Sequence, residues 1–256
     1  MGKEHRLAER RYSILAALEE AGQLSVAHLS ARFDVSEVTI RQDLQALSEQ
    51  GQLLRTRGGA LSTNSLPELS FDLRQQQYAA QKSKIGQAAA NLIHYGDTIF
   101  LDASTTSQTM IPQLKRLAEL TIITNSLKVA ISLLDSPQIH VILPGGSLRR
   151  TSISLVDQPN CDLIDDINIQ IGFFGARGLT LAEGLTDVSL NEVRMKRAMV
   201  ERCQQVVGLI DARKWGKVAA STFAYLDQVD TVISDSAAPD GLVEQVRQHK
   251  VEVVLV

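Results

Sequence analysis

The first 50 residues carry apolar side chains at intervals of three and four positions, which predicts amphipathic helices. The predicted helices cover residues 7–21, 26–33 and 35–50. Gly22 follows the first helix, and Ser25 can cap the second with its hydroxyl. Asp34 and Val35 leave only a tight turn before the third. Three helices with a short turn between the last two predict a helix-turn-helix.

The third predicted helix has one apolar stripe and one polar face. Ser36 is a suitable N-cap, Ile40, Leu44 and Leu47 form the stripe, and Gly51 can end the helix. The positions pointing away from the stripe are Val38, Arg41, Gln42 and Gln45, with Thr39 and Asp43 on the flank. One arginine, two glutamines and a short apolar residue can contact base edges in a major groove. The alternative is a surface helix whose polar residues are solvated.

Residues 52–61 predict a β-hairpin directly after this helix. Leu54 and Thr56 alternate with Arg55 and Arg57, as in a half-buried strand, and Gly58-Gly59 is a turn signal. The two arginines share one face and are spaced to meet phosphates or a minor groove. An ordinary hairpin with solvated arginines is the alternative, but a hairpin following a recognition helix favours a DNA-binding wing.

The rest of the chain alternates short β-branched runs with helical segments, which predicts an α/β domain with a mostly parallel sheet. Strands are predicted over residues 98–101, 120–124, 140–143, 169–174, 206–210, 231–234 and 251–256. Helices are predicted over residues 79–94, 105–117, 127–134, 191–203 and 241–249. A polar stretch without periodicity separates the two parts. The expected domains are 1–61 for DNA binding, 62–78 as linker and 79–256 as the α/β domain.

Composition narrows the class of protein. The 256 residues carry 26 Lys+Arg and 29 Asp+Glu, so a DNA contact must come from a local patch. Arg10 and Arg11 can reach phosphates or be merely solvated. Cys161 and Cys203 lie far apart and are expected to pack as small apolar residues, with neither a disulfide nor a metal. Without a signal-like or membrane-spanning apolar run, we expect a cytoplasmic protein with no cofactor.

Small polar residues follow the predicted strands, where ligands bind in parallel sheets. Ser104, Thr105 and Thr106 precede a predicted helix and suit a phosphate cradle, although simple helix capping is the alternative. The side chains of Asp102 and Asn125 can bind sugar hydroxyls. Lys196 or Arg149 can supply a positive charge. The alternatives for Lys196 are a solvated charge or an i, i+4 pair with Glu192.

Two blocks of sequence resemble the DeoR family of bacterial transcriptional regulators. The first runs from Leu29 to Leu44 and continues through Arg55, Arg57 and the Gly58-Gly59 turn. The second covers most of the C-terminal half. It is carried by Lys84-Ile85, 97–102, Ser104–Thr106, 124–126, Gly145-Gly146, 175–178, Glu192, Lys196, Met199 and 211–214.

This resemblance implies a fold and a function. It implies an N-terminal winged helix-turn-helix domain and a C-terminal α/β sensor domain resembling ribose-5-phosphate isomerase, which responds to phosphorylated sugars. Gln42 departs from the family, which usually has a second basic residue there. Three further departures lie in the sensor half: Ser104 replaces a common glycine, Gln170 replaces a common acid, and Leu155 follows Ser154 where members usually have a glycine.

We therefore expect a DNA-binding repressor of a carbohydrate-catabolic operon, acting as a homo-oligomer and modulated by a sugar phosphate. The expected DNA-binding residues are Ser36, Val38, Thr39, Arg41, Gln42, Gln45, Arg55 and Arg57. The expected effector-binding residues are Asp102, Ser104, Thr105, Thr106, Asn125, Ser126, Gly145, Gly146, Arg149, Gly175, Lys196 and Lys214. An isomerase-like enzyme carrying a DNA-binding module is the alternative, using one of the carboxylates Asp102, Asp187, Glu192 and Asp211. A non-specific nucleoid binder fits poorly with the near-neutral charge.

Overall fold

The computed structural model describes residues 3–49, 53–56, 58–62, 71–157, 159 and 164–256. The chain forms two compact units, Met1–Arg74 and Gln75–Val256. Three residues discussed above, Gly51, Arg57 and Cys161, lie outside the described residues. No helix within the described ranges is both long enough and apolar enough to span a membrane.

The first unit contains three helices and a small antiparallel sheet. In chain order these are α1 (Lys3–Ala21), β1 (Gln23–Ser25), α2 (Val26–Phe33), α3 (Glu37–Glu49), β2 (Leu53–Arg55) and β3 (Gly59–Ser62). The strand order is β1-β3-β2, so the predicted hairpin gains a third strand between the first two helices. Leu24 of β1 pairs with Ala60 of β3. The winged helix-turn-helix arrangement is confirmed.

Local sequence signals explain the helix ends in this unit. Gly22 adopts φ 72° and donates its N–H to Leu18, which ends α1. The hydroxyl of Ser25 accepts a hydrogen bond from the N–H of His28 and caps α2. Asp34 takes the left-handed conformation that separates α2 from α3. The core contains Ile14, Leu18, Leu29, Ile40, Leu44 and Leu47, so the predicted apolar stripe of α3 is buried.

The predicted linker is partly helical. Residues 71–76 form the helix Phe71–Gln76, and the side chain of Phe71 is buried. The guanidinium of Arg74 lies 5.6 Å from the centre of the Phe71 ring, on the next turn of the same helix. The polar residues of this stretch do not predict the helix, which carries one buried aromatic side chain.

The second unit is built on seven parallel strands, each of which the sequence predicted. The strands are β4 (Thr98–Leu101), β5 (Leu120–Thr124), β6 (Ile139–Ile142), β9 (Ile169–Gly175), β12 (Cys203–Leu209), β14 (Thr231–Ser234) and β15 (Glu252–Leu255). Their order in the sheet is β15-β14-β12-β9-β4-β5-β6, and each neighbouring pair is parallel. All seven carboxyl ends therefore lie along one edge.

Both faces of this sheet are buried, as expected for a parallel sheet. Along β4, Phe100 belongs to one apolar cluster, whereas Ile99 and Leu101 belong to the cluster on the other side. The helices Leu190–Val200 and Asp240–Gln248 contribute to the first cluster. The helices Ala79–Ala90, Ile111–Leu114 and Leu127–Ser132 contribute to the second. The α/β class is confirmed.

Several short elements departed from the prediction. The predicted helix 105–117 is a 3-10 turn, Ser107–Met110, followed by the single turn Ile111–Leu114. Pro112 has no backbone donor, so it is tolerated only at a helix start and breaks the longer helix. The added strands are β7 (Ser147–Arg149), β8 (Ser154–Val156), β10 (Gly178–Thr180), β11 (Gly184–Asp187) and β13 (Ser221–Ala224). These strands lie outside the large parallel sheet, and the sequence does not predict them.

Candidate functional sites

The exposed face of α3 carries the side chains that the sequence singled out. The hydroxyl of Ser36 accepts a hydrogen bond from the N–H of Thr39 at 3.2 Å and caps the helix. Val38 is 61% exposed, and Arg41 and Gln42 are also exposed. Val38 thus places an exposed apolar side chain beside exposed polar ones. This face can therefore offer both an apolar contact and hydrogen-bond donors to a groove.

Two polar contacts order this face. Arg41 pairs with Glu37 one turn earlier, at 2.7 Å, and both side chains are about half exposed. Such an exposed pair is weak, so Arg41 can exchange it for a phosphate or a base at little cost. Arg55 of β2 donates a hydrogen bond to the side-chain oxygen of Gln45 on α3. This contact ties the first strand of the hairpin to the exposed face of the helix.

Asp43, which the sequence places on the flank of α3, is buried. Its carboxylate accepts from Arg10 Nε at 2.7 Å and from Arg11 Nε at 2.9 Å. The two arginines are therefore not merely solvated, because each bonds to a buried carboxylate. They join α1 to α3 and fix the position of the recognition helix through a contact on its buried side.

At the carboxyl edge of the large sheet, Asp102 follows β4 and is fully buried. Its Oδ1 accepts from the N–H of Ser104 at 3.0 Å and from the hydroxyl of Ser107 at 2.5 Å. Its Oδ2 accepts from the N–H of Gly175 at 2.9 Å and lies 3.0 Å from Lys196 Nζ. Four donors occupy a carboxylate that has about four acceptor positions. Asp102 therefore organises neighbouring loops and has little remaining capacity for a ligand hydroxyl.

Lys196 is buried and bonded, so it is not a solvated charge. Its Nζ donates to Asp187 Oδ2 and to the carbonyl oxygen of Gly175, both at 2.7 Å, besides contacting Asp102. Burial alone would lower the pKa of Lys196, but Asp187 and Asp102 outweigh it and hold that pKa above its ordinary value. Lys196 is a permanently charged centre that holds two carboxylates together.

The pKa of Asp187 responds to the same pairing. Burial alone would raise it, but the charges of Lys196 and Arg177 outweigh burial and hold it below the ordinary aspartate value. The N–H of Val188 also donates to Asp187, at 2.7 Å. The sequence offers Asp187 only as a possible catalytic carboxylate, and its pairing with Lys196 does not follow from the sequence because the short strand that carries Asp187 is not predicted.

In the loop 103–106, one hydroxyl caps the following turn, and two threonine side chains are candidates for binding an anion. The hydroxyl of Ser104 accepts from the N–H of Ser107 at 3.0 Å, so Ser104 caps the following turn, as the alternative held. Thr105 and Thr106 are each only 6% exposed. Their position at the start of that turn is compatible with binding an anion. The hydroxyl of Ser104 already accepts a hydrogen bond from within the protein.

Asn125 and Ser126 follow β5, and their side chains differ in which hydrogen-bonding atoms already have a partner in the protein. The hydroxyl of Ser126 accepts from the N–H of Val129 and caps the next helix. Asn125 donates through Nδ2 to the carbonyl of Leu155 at 3.0 Å. Its Oδ1 is buried and has no hydrogen-bond partner among the described residues. A buried acceptor of this kind is costly unless a ligand or water supplies a donor.

A second polar cluster lies where β7 and β8 meet the helix Leu190–Val200. Glu192 accepts from the hydroxyls of Ser152 and Ser154 at 2.6 and 2.7 Å, and Arg149 Nη1 lies 3.6 Å away. The sequence singled out Arg149 but not the two serines, which follow a poorly patterned segment. Gly146, with φ 116°, lies so close to β8 that a Cβ would come within 2.3 Å of the Val156 carbonyl oxygen. Gly145 has φ 81° and shapes the same loop.

Positive charge gathers where β12 ends. Asp211 accepts from the backbone and guanidinium of Arg213, and Lys214 lies half-buried beside them. Burial lowers the pKa of Lys214 to about 8; Asp211 opposes this, while Arg177, Arg213 and Lys217 add to it. Burial alone would raise the pKa of Asp211, but Lys214 and Arg213 outweigh it and keep it low. Several cations surround one carboxylate that is already paired with an arginine, and this excess of positive charge favours the binding of an anion.

The carboxylates considered for catalysis are all engaged with the protein. Asp102 and Asp187 bind Lys196, Glu192 binds two serine hydroxyls, and Asp211 binds Arg213. A general base must reach a substrate proton, and each of these carboxylates already accepts hydrogen bonds from the protein's own donors. No group of three or more metal-binding side chains occurs within the described parts of the chain.

Family models match both units of this chain. The model described as the DeoR-like helix-turn-helix domain matches residues 10–66. The model described as the DeoR C-terminal sensor domain matches residues 77–236. Between them they cover α1 to β3 and most of the parallel sheet.

Curated relatives extend over nearly the whole chain. The HTH-type transcriptional regulator GolR of Listeria innocua is 35% identical, covering 89% of this chain and 90% of its own. The glycerol-3-phosphate regulon repressor of Escherichia coli is 30% identical, covering 96% and 98%. Among solved structures, ribose 5-phosphate isomerase A from Methanocaldococcus jannaschii is 17% identical, with a TM-score of 0.38, covering 52% and 53%.

Proposed function

Because the chain belongs to the DeoR family of helix-turn-helix transcriptional regulators, we propose that it represses a carbohydrate-catabolic operon in response to a phosphorylated sugar. It acts in the cytoplasm as a homo-oligomer, dimer or tetramer, whose paired recognition helices meet two half-sites. The effector binds the sensor unit and shifts the population of DNA-competent arrangements. That shift is limited by the difference in its affinity for the two states.

The exposed face of α3 is the single observation that carries this proposal. It presents an apolar group and several donors, while its opposite face is buried against the core of the first unit. In the proposed interface, the residues that contact DNA are Ser36, Val38, Thr39, Arg41, Gln42, Gln45, Arg55 and Arg57. Gln42 takes the place of a charged side chain, so it contributes more to sequence preference than to general affinity.

Replacing Arg41 with alanine tests the DNA interface. A lost contact from arginine to a base or phosphate costs about 1–3 kcal/mol, so operator affinity should fall between about fivefold and 150-fold. The stability of the first unit should hardly change, because the pair with Glu37 is exposed. The operator is first selected from a random DNA library with the wild-type chain, and affinities are then measured by fluorescence anisotropy.

The control for this experiment is Arg116→Ala, which removes the same charge from an exposed position in the second unit. It should leave operator affinity unchanged. An Arg41→Ala variant that binds the selected operator as tightly as wild type would remove this residue from the interface.

The proposed effector site lies along the carboxyl edge of the parallel sheet. Asn125 Oδ1 supports recognition of a sugar hydroxyl, because a hydroxyl can donate to this unpaired buried acceptor. Lys214 and Arg149 support neutralisation of a phosphate, whereas Lys196 and Asp102 hold the floor beneath it. The remaining proposed members are Ser104, Thr105, Thr106, Ser126, Gly145, Gly146 and Gly175.

Lys214→Met tests this site through ligand-induced stabilisation. A ligand that binds only the folded state raises the melting temperature, so a screen of sugar phosphates should reveal the effector. The variant should lose most of that increase. In wild type, affinity should be highest below about pH 8, where Lys214 is charged, and should fall as the pH rises further. The second pKa of a phosphomonoester is about 6, so the ligand itself does not change charge in that range.

Lys250→Met is the matched control. Lys250 is exposed and precedes β15, so it lies near the amino end of that strand and away from the carboxyl ends that form the proposed site. It should keep the full ligand response and its pH dependence. An equal response in the Lys214 variant and in wild type would exclude Lys214 from the site. Conversion of the stabilising sugar phosphate into an isomer during the screen would instead favour the isomerase-like alternative.

A further inference from the structure

Tyr78 connects the positive charge at the end of β12 to the start of the helix Ala79–Ala90. The guanidinium of Arg213 stacks on the Tyr78 ring, 3.3 Å from the ring centre. Arg213 also donates to Asp211 through Nε and Nη2, at 2.9 and 3.2 Å. A guanidinium carries five N–H donors, so Arg213 can hold this carboxylate, lie on the ring and still offer donors to an anion.

The backbone of Tyr78 is strained. Its φ of 55° and ψ of 38° place it in the left-handed region, which bulky residues rarely adopt. Its carbonyl oxygen accepts from the N–H of Lys82 at 3.0 Å, so this strained residue begins the helix Ala79–Ala90. A conformation of this kind persists only where neighbouring contacts hold it, and the stack with Arg213 is one such contact.

The place of Tyr78 in the chain lets this contact influence more than local packing. The first unit ends at Arg74, so Tyr78 lies just inside the second unit, at the end of the segment that joins them. The helix start also contacts the proposed effector site at a second point. There the carbonyl oxygen of Lys82 accepts from the hydroxyl of Thr109 at 2.8 Å, in the turn after the loop 103–106. A change at the effector site can therefore reach the joining segment through this helix start.

We propose that Tyr78 is a positioning residue that couples anion binding at Arg213 to the segment joining the two units. The inference rests on the proposed function and deepens it by naming the residue that relays occupancy of the effector site. A phosphate carries about two negative charges at neutral pH, against one on Asp211, so it draws the guanidinium away from the carboxylate and off the ring. Tyr78 then leaves its strained conformation, and the first turn of the helix opens. Relief of the strain offsets part of the cost of losing the stack.

Hydrogen exchange of the full chain tests this coupling without DNA. Mass spectrometry follows the peptides that cover the first two turns of the helix Ala79–Ala90, with inorganic phosphate as the probe and chloride at equal ionic strength as the reference. Phosphate should speed exchange in these peptides by about twofold to thirtyfold, the range that corresponds to the loss of one cation–π contact. Tyr78→Asn removes the ring, while asparagine adopts the left-handed conformation readily. This variant should exchange at the fast rate without phosphate and should not respond to it.

Two further variants separate the stack from other effects of substitution. Tyr78→Phe keeps the ring and should respond to phosphate as wild type does. Tyr95→Asn is the control, because it makes the same change at a tyrosine that is 69% exposed and lies beyond the other end of the helix. It should also respond as wild type does. With the operator selected as above, phosphate should change operator affinity in wild type and in Tyr78→Phe but not in Tyr78→Asn.

Exchange that phosphate leaves unchanged or slows in wild type would overturn the proposal. So would a Tyr78→Asn variant whose exchange or operator affinity responds as wild type does. If Tyr78→Asn does not fold, Arg213→Lys decides, because lysine keeps the charge but lacks the planar stacking group. A full response of that variant to phosphate would exclude the stack as the coupling contact. A chain with phosphate-dependent exchange that selects no DNA from a library would contradict the proposed function alone.

Discussion

Replacing Lys196 with methionine is expected to lower the free energy of unfolding of the second unit by about 3–5 kcal/mol. The change leaves two buried carboxylates, those of Asp102 and Asp187, without their shared cation. Methionine retains most of the side-chain volume, so the loss reflects charge and hydrogen bonding more than a cavity. For a unit of this size the melting temperature should fall by about 6–20 °C.

The pH dependence separates this mechanism from a packing defect. In wild type, Asp187 has a lowered pKa, so its contribution is present above the unfolded pKa and is lost only as the pH falls through the folded one. Without Lys196, burial should raise the pKa of Asp187, and Arg177, 4.0 Å away, offsets only part of this. Stability is then lost as the pH rises through the raised pKa. The difference in free energy of unfolding between wild type and the variant should therefore become smaller as the pH falls from about 7 to about 5.

Urea unfolding of the full chain at several pH values measures both effects. Lys250→Met again serves as the control, since it removes an exposed lysine and should change the free energy of unfolding by less than about 0.5 kcal/mol. A deficit that is constant with pH would show that lost packing, not unpaired charge, explains the change. A deficit below about 1 kcal/mol would contradict the role assigned to Lys196.

Replacing Asp43 with asparagine is expected to destabilise the first unit by about 2–4 kcal/mol, because two charged hydrogen bonds to Arg10 and Arg11 are weakened at a buried site. A small domain has only about 5–15 kcal/mol of stability. Operator affinity should fall at least about tenfold, although Asp43 faces away from the proposed DNA surface, because α3 loses its connection to α1.

The control is Asp34→Asn, the same chemical change at an exposed left-handed position that asparagine adopts readily. Thermal melts followed at helix-sensitive wavelengths report stability, and anisotropy with the selected operator reports binding. If Asp43→Asn melts and binds like Asp34→Asn, the buried pair does not position the recognition helix.

The sequence predicted those features that depend on neighbours close in the chain. The cap at Ser36, the buried stripe at Ile40 and Leu44, and all seven strands of the parallel sheet follow from local periodicity and capping chemistry. A parallel sheet buried on both faces leaves continuous apolar runs, and these are easily distinguished from the polar loops between them.

The errors share a different cause, which is contact between residues distant in the chain. Asp43 lies 32 and 33 positions from its arginine partners, and no local pattern joins them. Lys196 has an acid at i−4, but its hydrogen bond goes to Asp187 on a short strand and its second ion pair to Asp102. Periodicity therefore identified which residues gather at the carboxyl edge of the sheet but not which of them bond to one another.

The saturated carboxylate of Asp102 has a practical consequence for anyone redesigning the chain as a biosensor. The four donors that converge on it come from three separate segments, so changes there should mostly yield misfolded variants. Asn125, Arg149 and Lys214 are more tolerant targets, since they are not tied into that floor. A library that keeps Asp102 and its four donors constant and randomises Asn125, Arg149 and Lys214 should yield more folded clones with altered ligand preference than a library that varies the donors.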